Sequence, residues 1–92
     1  MSIVARFTPN SLTAEKYDES VREVTSSIGF PPEGLDYHVC FGSDGDLRVS
    51  EIWDSRESFD AFGEKLMPKL AEIGIDPGPE PEIIEIHNIV KR

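Results

Sequence analysis

The sequence predicts an α+β protein with the order βαββαβ, the ferredoxin-like arrangement in which a four-stranded antiparallel sheet carries both helices on one face. Three observations predict this fold. Four short segments alternate apolar and polar residues, two longer segments carry apolar residues at helical spacing, and glycine and proline residues separate them. Because the chain has 92 residues, we expect residues 1–92 to form a single domain.

The first half supplies a strand, a helix and one arm of a hairpin. Residues 3–7 form the strand, and Ser11 or Thr13 can cap the helix after it. The apolar residues of this helix recur at i, i+4, i+7 and i+11 and are Tyr17, Val21, Val24 and Ile28. Residues 35–41 alternate and run into an Asp-Gly pair, which is a hairpin signal.

The second half repeats the order strand, helix, strand. Residues 47–53 return from the hairpin, and Asp54 or Ser55 can begin the next helix. The apolar residues of this helix are Phe59, Phe62, Leu66, Leu70 and Ile73. Pro68 lies among them and predicts a kink or break, because proline lacks a backbone donor. Residues 83–90 form the last strand.

Charge and cysteine usage exclude several classes of function. The net charge of −9 argues against nucleic acid and anionic membranes as partners, since both require clustered Lys and Arg. Cys40 is the only cysteine, so no intrachain disulfide can form. We see no signal peptide and no apolar run long enough to span a membrane, and we expect a cytoplasmic protein.

No cofactor is expected from the sequence. The two histidines, His38 and His87, are far apart on different strands, and no cysteine cluster accompanies them, so no metal motif is present. No glycine-rich phosphate loop connects a strand to a helix.

One face of the predicted sheet is left without helices. A hairpin loop of two or four residues places His38 opposite Glu51, and Asp36 opposite Trp53, whereas a three-residue loop would separate the His38–Glu51 pair. The opposite face is expected to pack against the helices and consists of Tyr37, Val39, Phe41, Ser50 and Ile52. The open face is then expected to hold Arg6, His38, Cys40, Val49, Glu51, Trp53, Ile83, Glu85, His87 and Ile89.

This expected open face predicts a homodimer. A patch that contains a tryptophan and several aliphatic residues is rarely left exposed on a monomer. Two sheets packed face to face would bury the patch and leave a partly polar space between them.

The chain resembles the dimeric α+β barrel superfamily and, within it, small bacterial proteins like the antibiotic biosynthesis monooxygenases. The resemblance covers nearly the whole chain and is carried by residues 34–39, 49–59, 66–68 and 87–90. It implies a homodimer with a small cavity. The superfamily includes cofactor-free oxygenases, haem-degrading enzymes, cyclases and isomerases. The second helix lacks the histidine that ligates iron in haem-degrading members, so haem binding is not expected.

The candidate site combines His38 with Glu51. A carboxylate beside an imidazole fixes the tautomer and suits a general base. Trp53 would provide a stacking wall for an aromatic substrate, Arg6 could bind an anionic group or polarise a carbonyl, and His87 could contact substrate. The alternative is structural: a cross-strand polar pair at an interface, with Trp53 as core.

Three functions are compatible with these residues. The first is a cofactor-independent monooxygenase-like enzyme that acts on a small aromatic or polyketide-like substrate, with His38 as base. The second is a cyclase or isomerase in which His38 and Glu51 transfer protons. The third is a dimer without catalytic activity that binds a small ligand or a partner protein.

Overall fold

A computed structural model describes all 92 residues and has the predicted ferredoxin-like fold. In chain order, the elements are β1 (Ile3–Phe7), α1 (Ala14–Ser27), β2 (Leu35–Ser43), β3 (Asp46–Trp53), α2 (Arg56–Ile73) and β4 (Glu82–Glu85). The antiparallel sheet has the strand order β2-β3-β1-β4, with helices α1 and α2 packed on one side. Neither helix has the length and apolar character needed to cross a membrane.

Side-chain caps set where the helices begin. The Thr13 hydroxyl accepts the Lys16 N–H at the start of α1, and the Ser55 hydroxyl accepts the Ser58 N–H at the start of α2. Of the alternatives in the sequence, Thr13 and Ser55 are therefore the caps. Helix α2 ends at Gly74, whose φ of 88° is the left-handed conformation that glycine adopts without strain.

Two elements differ from the prediction, α2 in its continuity and β4 in its length. Helix α2 continues through Pro68 without a break, because Pro68 and Glu64 are both exposed and water can satisfy the carbonyl that proline leaves free. Strand β4 ends at Glu85 rather than at residue 90. Its partner β1 begins at Ile3, which pairs with Glu85, and beyond this pair one backbone hydrogen bond, from the Ile86 N–H to the Ser2 carbonyl, continues the contact.

The register of the hairpin is the predicted one over most of its length. The loop has two residues, and His38 lies opposite Glu51 as expected. The pairing of Asp36 with Trp53 is wrong, because an irregularity between Leu35 and Tyr37 places Leu35 opposite Trp53 instead. The shift keeps Leu35 packed against the core and leaves Asp36 exposed.

The two faces of the sheet are exchanged relative to the prediction. The face under the helices, here called the covered face, includes Glu51 and Trp53, which are 7% and 1% exposed. The other side, the open face, includes Tyr37, Val39 and Ile84, which are 49%, 51% and 51% exposed. Alternation was predicted correctly but the side that the helices cover was not. The core on the covered face consists of Ile3, Ala5, Val24, Trp53 and Phe62, with Ile83 packed against it.

Candidate functional site

Four side chains form one continuous chain of hydrogen bonds, here called the tetrad. The indole Nε1 of Trp53 donates to Glu51 Oε1 at 3.0 Å, and the other oxygen of Glu51, Oε2, lies 2.6 Å from His38 Nδ1. The Tyr17 hydroxyl lies 2.6 Å from His38 Nε2. The carboxylate is therefore bound on both oxygens, and both nitrogens of the imidazole have a partner.

Three local rules place the four members of the tetrad. Glu51 and Trp53 are two residues apart on β3, so the pleat directs both toward the helices. The antiparallel register places His38 of β2 directly opposite Glu51. Tyr17 lies on the apolar stripe of α1, one turn of helix before Val21, and so faces the sheet.

Packing fixes the orientation of the His38 ring. The Tyr17 ring lies nearly parallel to it, with centroids 5.9 Å apart and an interplanar angle of 14°. The edge of Phe30 meets the ring at 86°, with centroids 5.2 Å apart. Two hydrogen bonds and two aromatic contacts therefore hold the imidazole in one orientation.

The hydrogen-bond partners define the protonation pattern. Because a carboxylate only accepts hydrogen bonds, His38 Nδ1 carries a hydrogen that it donates to Glu51. In the neutral imidazole, Nε2 then accepts the Tyr17 hydroxyl hydrogen. Burial, followed by the nearby Cys40 and Glu51, raises the pKa of Tyr17 to about 12, so its hydroxyl is protonated at neutral pH.

A cavity of about 120 Å³ lies between the covered face and the helices, and Tyr17, His38 and Glu51 form part of its wall. Of the 17 residues that line it, 12 are hydrophobic, and none is Lys or Arg. Trp53 supports Glu51 from behind without lining the cavity. The arrangement is an apolar pocket with one hydrogen-bonded polar wall, as in many sites for small ligands.

Two loops close one end of the cavity and are joined to each other. Asn10 Nδ2 donates to Asp76 Oδ2 at 2.9 Å, and the Gly78 N–H donates to Asp76 Oδ1 at 2.9 Å. These hydrogen bonds lower the pKa of the Asp76 carboxyl. At Gly78 a Cβ would lie 2.2 Å from the Thr8 carbonyl oxygen, so only glycine permits this approach. The loops contribute Pro9, Leu12, Ile75 and Pro77 to the cavity wall.

The structure brings together three of the five residues that sequence predicts for the site. His38, Glu51 and Trp53 are in direct contact. Arg6 lies on the open face, where its exposed guanidinium is 3.6 Å from Glu82. His87 is exposed beyond the end of β4. Neither Arg6 nor His87 lines the cavity.

Sequence reasoning missed Tyr17 as a site residue. Its signal was present, because a tyrosine on the buried stripe of a helix needs a partner for its hydroxyl.

Cys40 shares the covered face with the tetrad but makes no hydrogen bond in it. Burial and the nearby Asp18 raise the pKa of its thiol, which favours the inert protonated form.

Comparison with known proteins supports the fold. No family model matches the chain, and no curated protein matches it. Among solved structures, a conserved protein from Methanosarcina mazei has a TM-score of 0.53 and 22% identity, over 90% of this chain and 88% of that one. A candidate antibiotic biosynthesis monooxygenase from Chloroflexus aurantiacus has a TM-score of 0.53 and 18% identity, over 97% and 95%. At these identities the likeness shows the fold that the chain shares with such proteins.

Proposed function

We propose that the protein is a cofactor-independent enzyme that removes a proton from a small aromatic molecule bound in the cavity, with His38 as the base. The observation that carries this proposal is the His38–Glu51 pair in the wall of an apolar cavity. Glu51 stabilises the imidazolium that forms when His38 takes a proton. The apolar lining of the cavity lowers the local dielectric constant, which strengthens that electrostatic interaction.

Cavity volume limits the substrate to about one ring. An engineered apolar cavity of about 150 Å³ in another protein binds benzene. The cavity of about 120 Å³ is of the same order and is smaller than the volume that a polycyclic molecule requires. This favours a single-ring aromatic substrate over the larger polyketide-like one.

Two reactions can follow removal of the proton. In a monooxygenase-like reaction the substrate anion reacts with O₂, and one oxygen atom becomes a carbonyl of the product while the other leaves as water, so that a phenol and O₂ give a quinone and water and the substrate supplies all the electrons. In a cyclase or isomerase the proton returns to a different atom of the substrate. The resemblance of residues 34–39 and 49–59 to the antibiotic biosynthesis monooxygenases favours the first reaction. The tetrad supports the proton transfer that both reactions share.

A substrate panel with a base-deficient variant tests this function. Single-ring phenols and enolisable ketones are incubated with the protein while O₂ consumption and exchange of carbon-bound substrate hydrogen with D₂O are both measured. His38→Gln is expected to lower turnover at least 100-fold, since general-base catalysis contributes about 10²–10⁴-fold. Asp36→Asn, a change on the same strand outside the cavity, is expected to retain activity.

The pattern of results separates the alternatives. O₂ consumption supports the oxygenase, and exchange without O₂ consumption supports the cyclase or isomerase. If His38→Gln folds and keeps full activity, His38 is not the base. If ligands bind but neither reaction occurs, the protein is a binding module.

We further propose that two copies form a homodimer through their open faces. Tyr37, Val39 and Ile84 form an exposed apolar patch there, although the chain as a whole carries a net charge of −9. Between Arg48 and Ile52, the outward residues of β3 include no acidic side chain. The acidic Glu82 is also on this face but lies beside Arg6, so the open face is a surface on which two acidic chains can meet with little repulsion.

Light scattering after gel filtration tests the dimer at micromolar protein concentration. Val39→Glu places a carboxylate on each side of the expected interface and should give a monomer. Ala61→Glu makes the same type of change on the exposed side of α2 and should leave the dimer intact. A monomeric wild-type protein would contradict the proposal.

We also propose that the protein acts in the cytoplasm. Its single cysteine, Cys40, leaves it without an intrachain disulfide, as is usual in reducing compartments. Cell fractionation tests this, and recovery of the protein in the medium would contradict it.

A further inference from the structure

The base of the tetrad has no free nitrogen to offer a ligand. His38 Nδ1 is occupied by Glu51, and Nε2 is occupied by the Tyr17 hydroxyl. A ligand in the cavity therefore cannot form a hydrogen bond with an unoccupied nitrogen of the imidazole. The Tyr17 oxygen, having donated its hydrogen to Nε2, still has a lone pair with which to accept a hydrogen bond.

The other polar groups of the wall do not offer a donor either. The Ser20 hydroxyl donates to the main-chain oxygen of Tyr17 at 2.6 Å. Glu51 accepts hydrogen bonds on both oxygens and is itself buried. With His38 neutral, the wall that faces the cavity therefore contains only hydrogen-bond acceptors, so a complementary ligand must be a donor.

The charges of the residues that line the cavity restrict the class of ligand further. Glu51 is the one charged side chain that lines the cavity, and no Lys or Arg lines it. A carboxylate or phosphate would be buried next to this negative charge without a counter-ion, which is strongly unfavourable. Anionic ligands are thus disfavoured, and a neutral molecule with one hydroxyl group on an apolar ring matches the cavity.

Resting on the function proposed above, we infer that Tyr17 is the catalytic residue that contacts the substrate, a neutral single-ring compound whose hydroxyl donates to the Tyr17 oxygen. The substrate O–H bond breaks as its proton passes to the Tyr17 oxygen. In the same step the original Tyr17 proton passes to His38 Nε2. The products are a substrate oxyanion, a neutral Tyr17 and an imidazolium paired with the Glu51 carboxylate, so protons and charge balance without an oxidant.

This relay explains why a tyrosine that resists ionisation can lie between base and substrate. Tyr17 gives up one proton as it receives another, so it never has to exist as a phenolate. After the transfer its hydroxyl donates to the substrate oxyanion, which it stabilises. The same oxygen thus accepts a hydrogen bond before the transfer and donates one after it.

Two probes of nearly equal shape test the inference. The affinities of 4-fluorophenol and 4-fluorotoluene are measured by ¹⁹F NMR titration in wild-type protein and in Tyr17→Phe. We expect the wild type to prefer the phenol by about two- to tenfold, the range that one net hydrogen bond supplies. Tyr17→Phe should remove this preference, whereas Tyr37→Phe, the same change on the open face, should retain it.

The ratio of the two affinities separates a direct contact from structural damage. A distorted cavity would weaken both probes together and leave their ratio unchanged. If Tyr17→Phe does not fold, the wild-type preference and nuclear Overhauser contacts between the phenol ring and Tyr17 decide the question. Equal binding of both probes to the wild type overturns the inference and leaves the cavity as a ligand site, whereas failure of both probes to bind contradicts the proposed function itself.

Discussion

The two faces of the sheet differ in a way that composition does not suggest. The covered face contains a histidine, a glutamate and a cysteine, whereas the open face presents Tyr37, Val39 and Ile84 to solvent. The polar side chains are buried on the covered face because the tetrad satisfies them, and no buried side-chain nitrogen or oxygen lacks a partner. Burial here depends on hydrogen bonding as much as on hydrophobicity.

Replacing one large aromatic residue on each face should give the largest difference in the free energy of unfolding. Trp53→Ala leaves a cavity beside Phe59 and Phe62 and should lower the free energy of unfolding by about 3–5 kcal/mol. Tyr37→Ala, on the open face, should change it by only about 0.5 kcal/mol in the monomer.

Urea unfolding measures both changes at protein concentrations low enough to keep the chain monomeric, so that association between chains does not contribute. Equal effects of the two variants would mean that the faces are not buried as the structure describes.

Neutralising one glutamate on each face compares how much a buried and an exposed carboxylate contribute to stability. In Glu51→Gln the amide nitrogen must face either Trp53 Nε1, which then loses its acceptor, or His38 Nδ1, which must then give up its hydrogen and loses a charge-assisted hydrogen bond. The expected loss in the free energy of unfolding is about 1–3 kcal/mol. Glu82→Gln breaks only the exposed pair with Arg6 and should change stability by less than about 1 kcal/mol.

Chemical denaturation at neutral pH provides both values. A Glu51→Gln variant as stable as the wild type would show that the tetrad does not hold these donors in the folded protein.

Local chemistry in the sequence was enough to predict the elements and most of the register. Thr13 and Ser55 are each one of the two caps that short-range rules allow, and the two-residue loop, which pairs His38 with Glu51, is one of the loop lengths that they allow. The choice of face did not follow, because alternation with period two separates residues into two sets without indicating which set the helices cover. Both sets mix polar with apolar residues. The set that contains Tyr37, Val39 and Ile52 is the more apolar of the two, which favours the wrong side as the core.

The site was predicted in part for a related reason. His38, Glu51 and Trp53 could be grouped because one hairpin register links them. The apolar stripe of α1 marks Tyr17 as a buried tyrosine that needs a partner, but it does not identify His38 as that partner, because contact between α1 and β2 depends on how the helix packs across the sheet. Arg6 was grouped with His38 on one face, and the structure separates them because His38 belongs to the covered face.

The smallest expected effect concerns the protonation of Tyr17 at alkaline pH. Its pKa is raised from 10.0 to about 12, first by burial and then by the neighbouring Cys40 and Glu51. Between these values the unfolded chain has released the proton while the folded protein retains it, so the unfolded state binds fewer protons. The stabilisation is therefore complete below pH 10 and is lost as the pH rises toward 12.

The free energy of unfolding should accordingly fall less steeply above pH 10 in Tyr17→Phe than in the wild type. Urea unfolding at several pH values gives the two slopes, and lysine titration cancels because both proteins have the same lysines. Tyr37→Phe should keep the wild-type slope, since that hydroxyl belongs to the open face. Identical slopes for wild type and Tyr17→Phe would mean that the folded protein does not protect the Tyr17 proton, and would remove the basis for placing this hydroxyl in a buried hydrogen bond with His38.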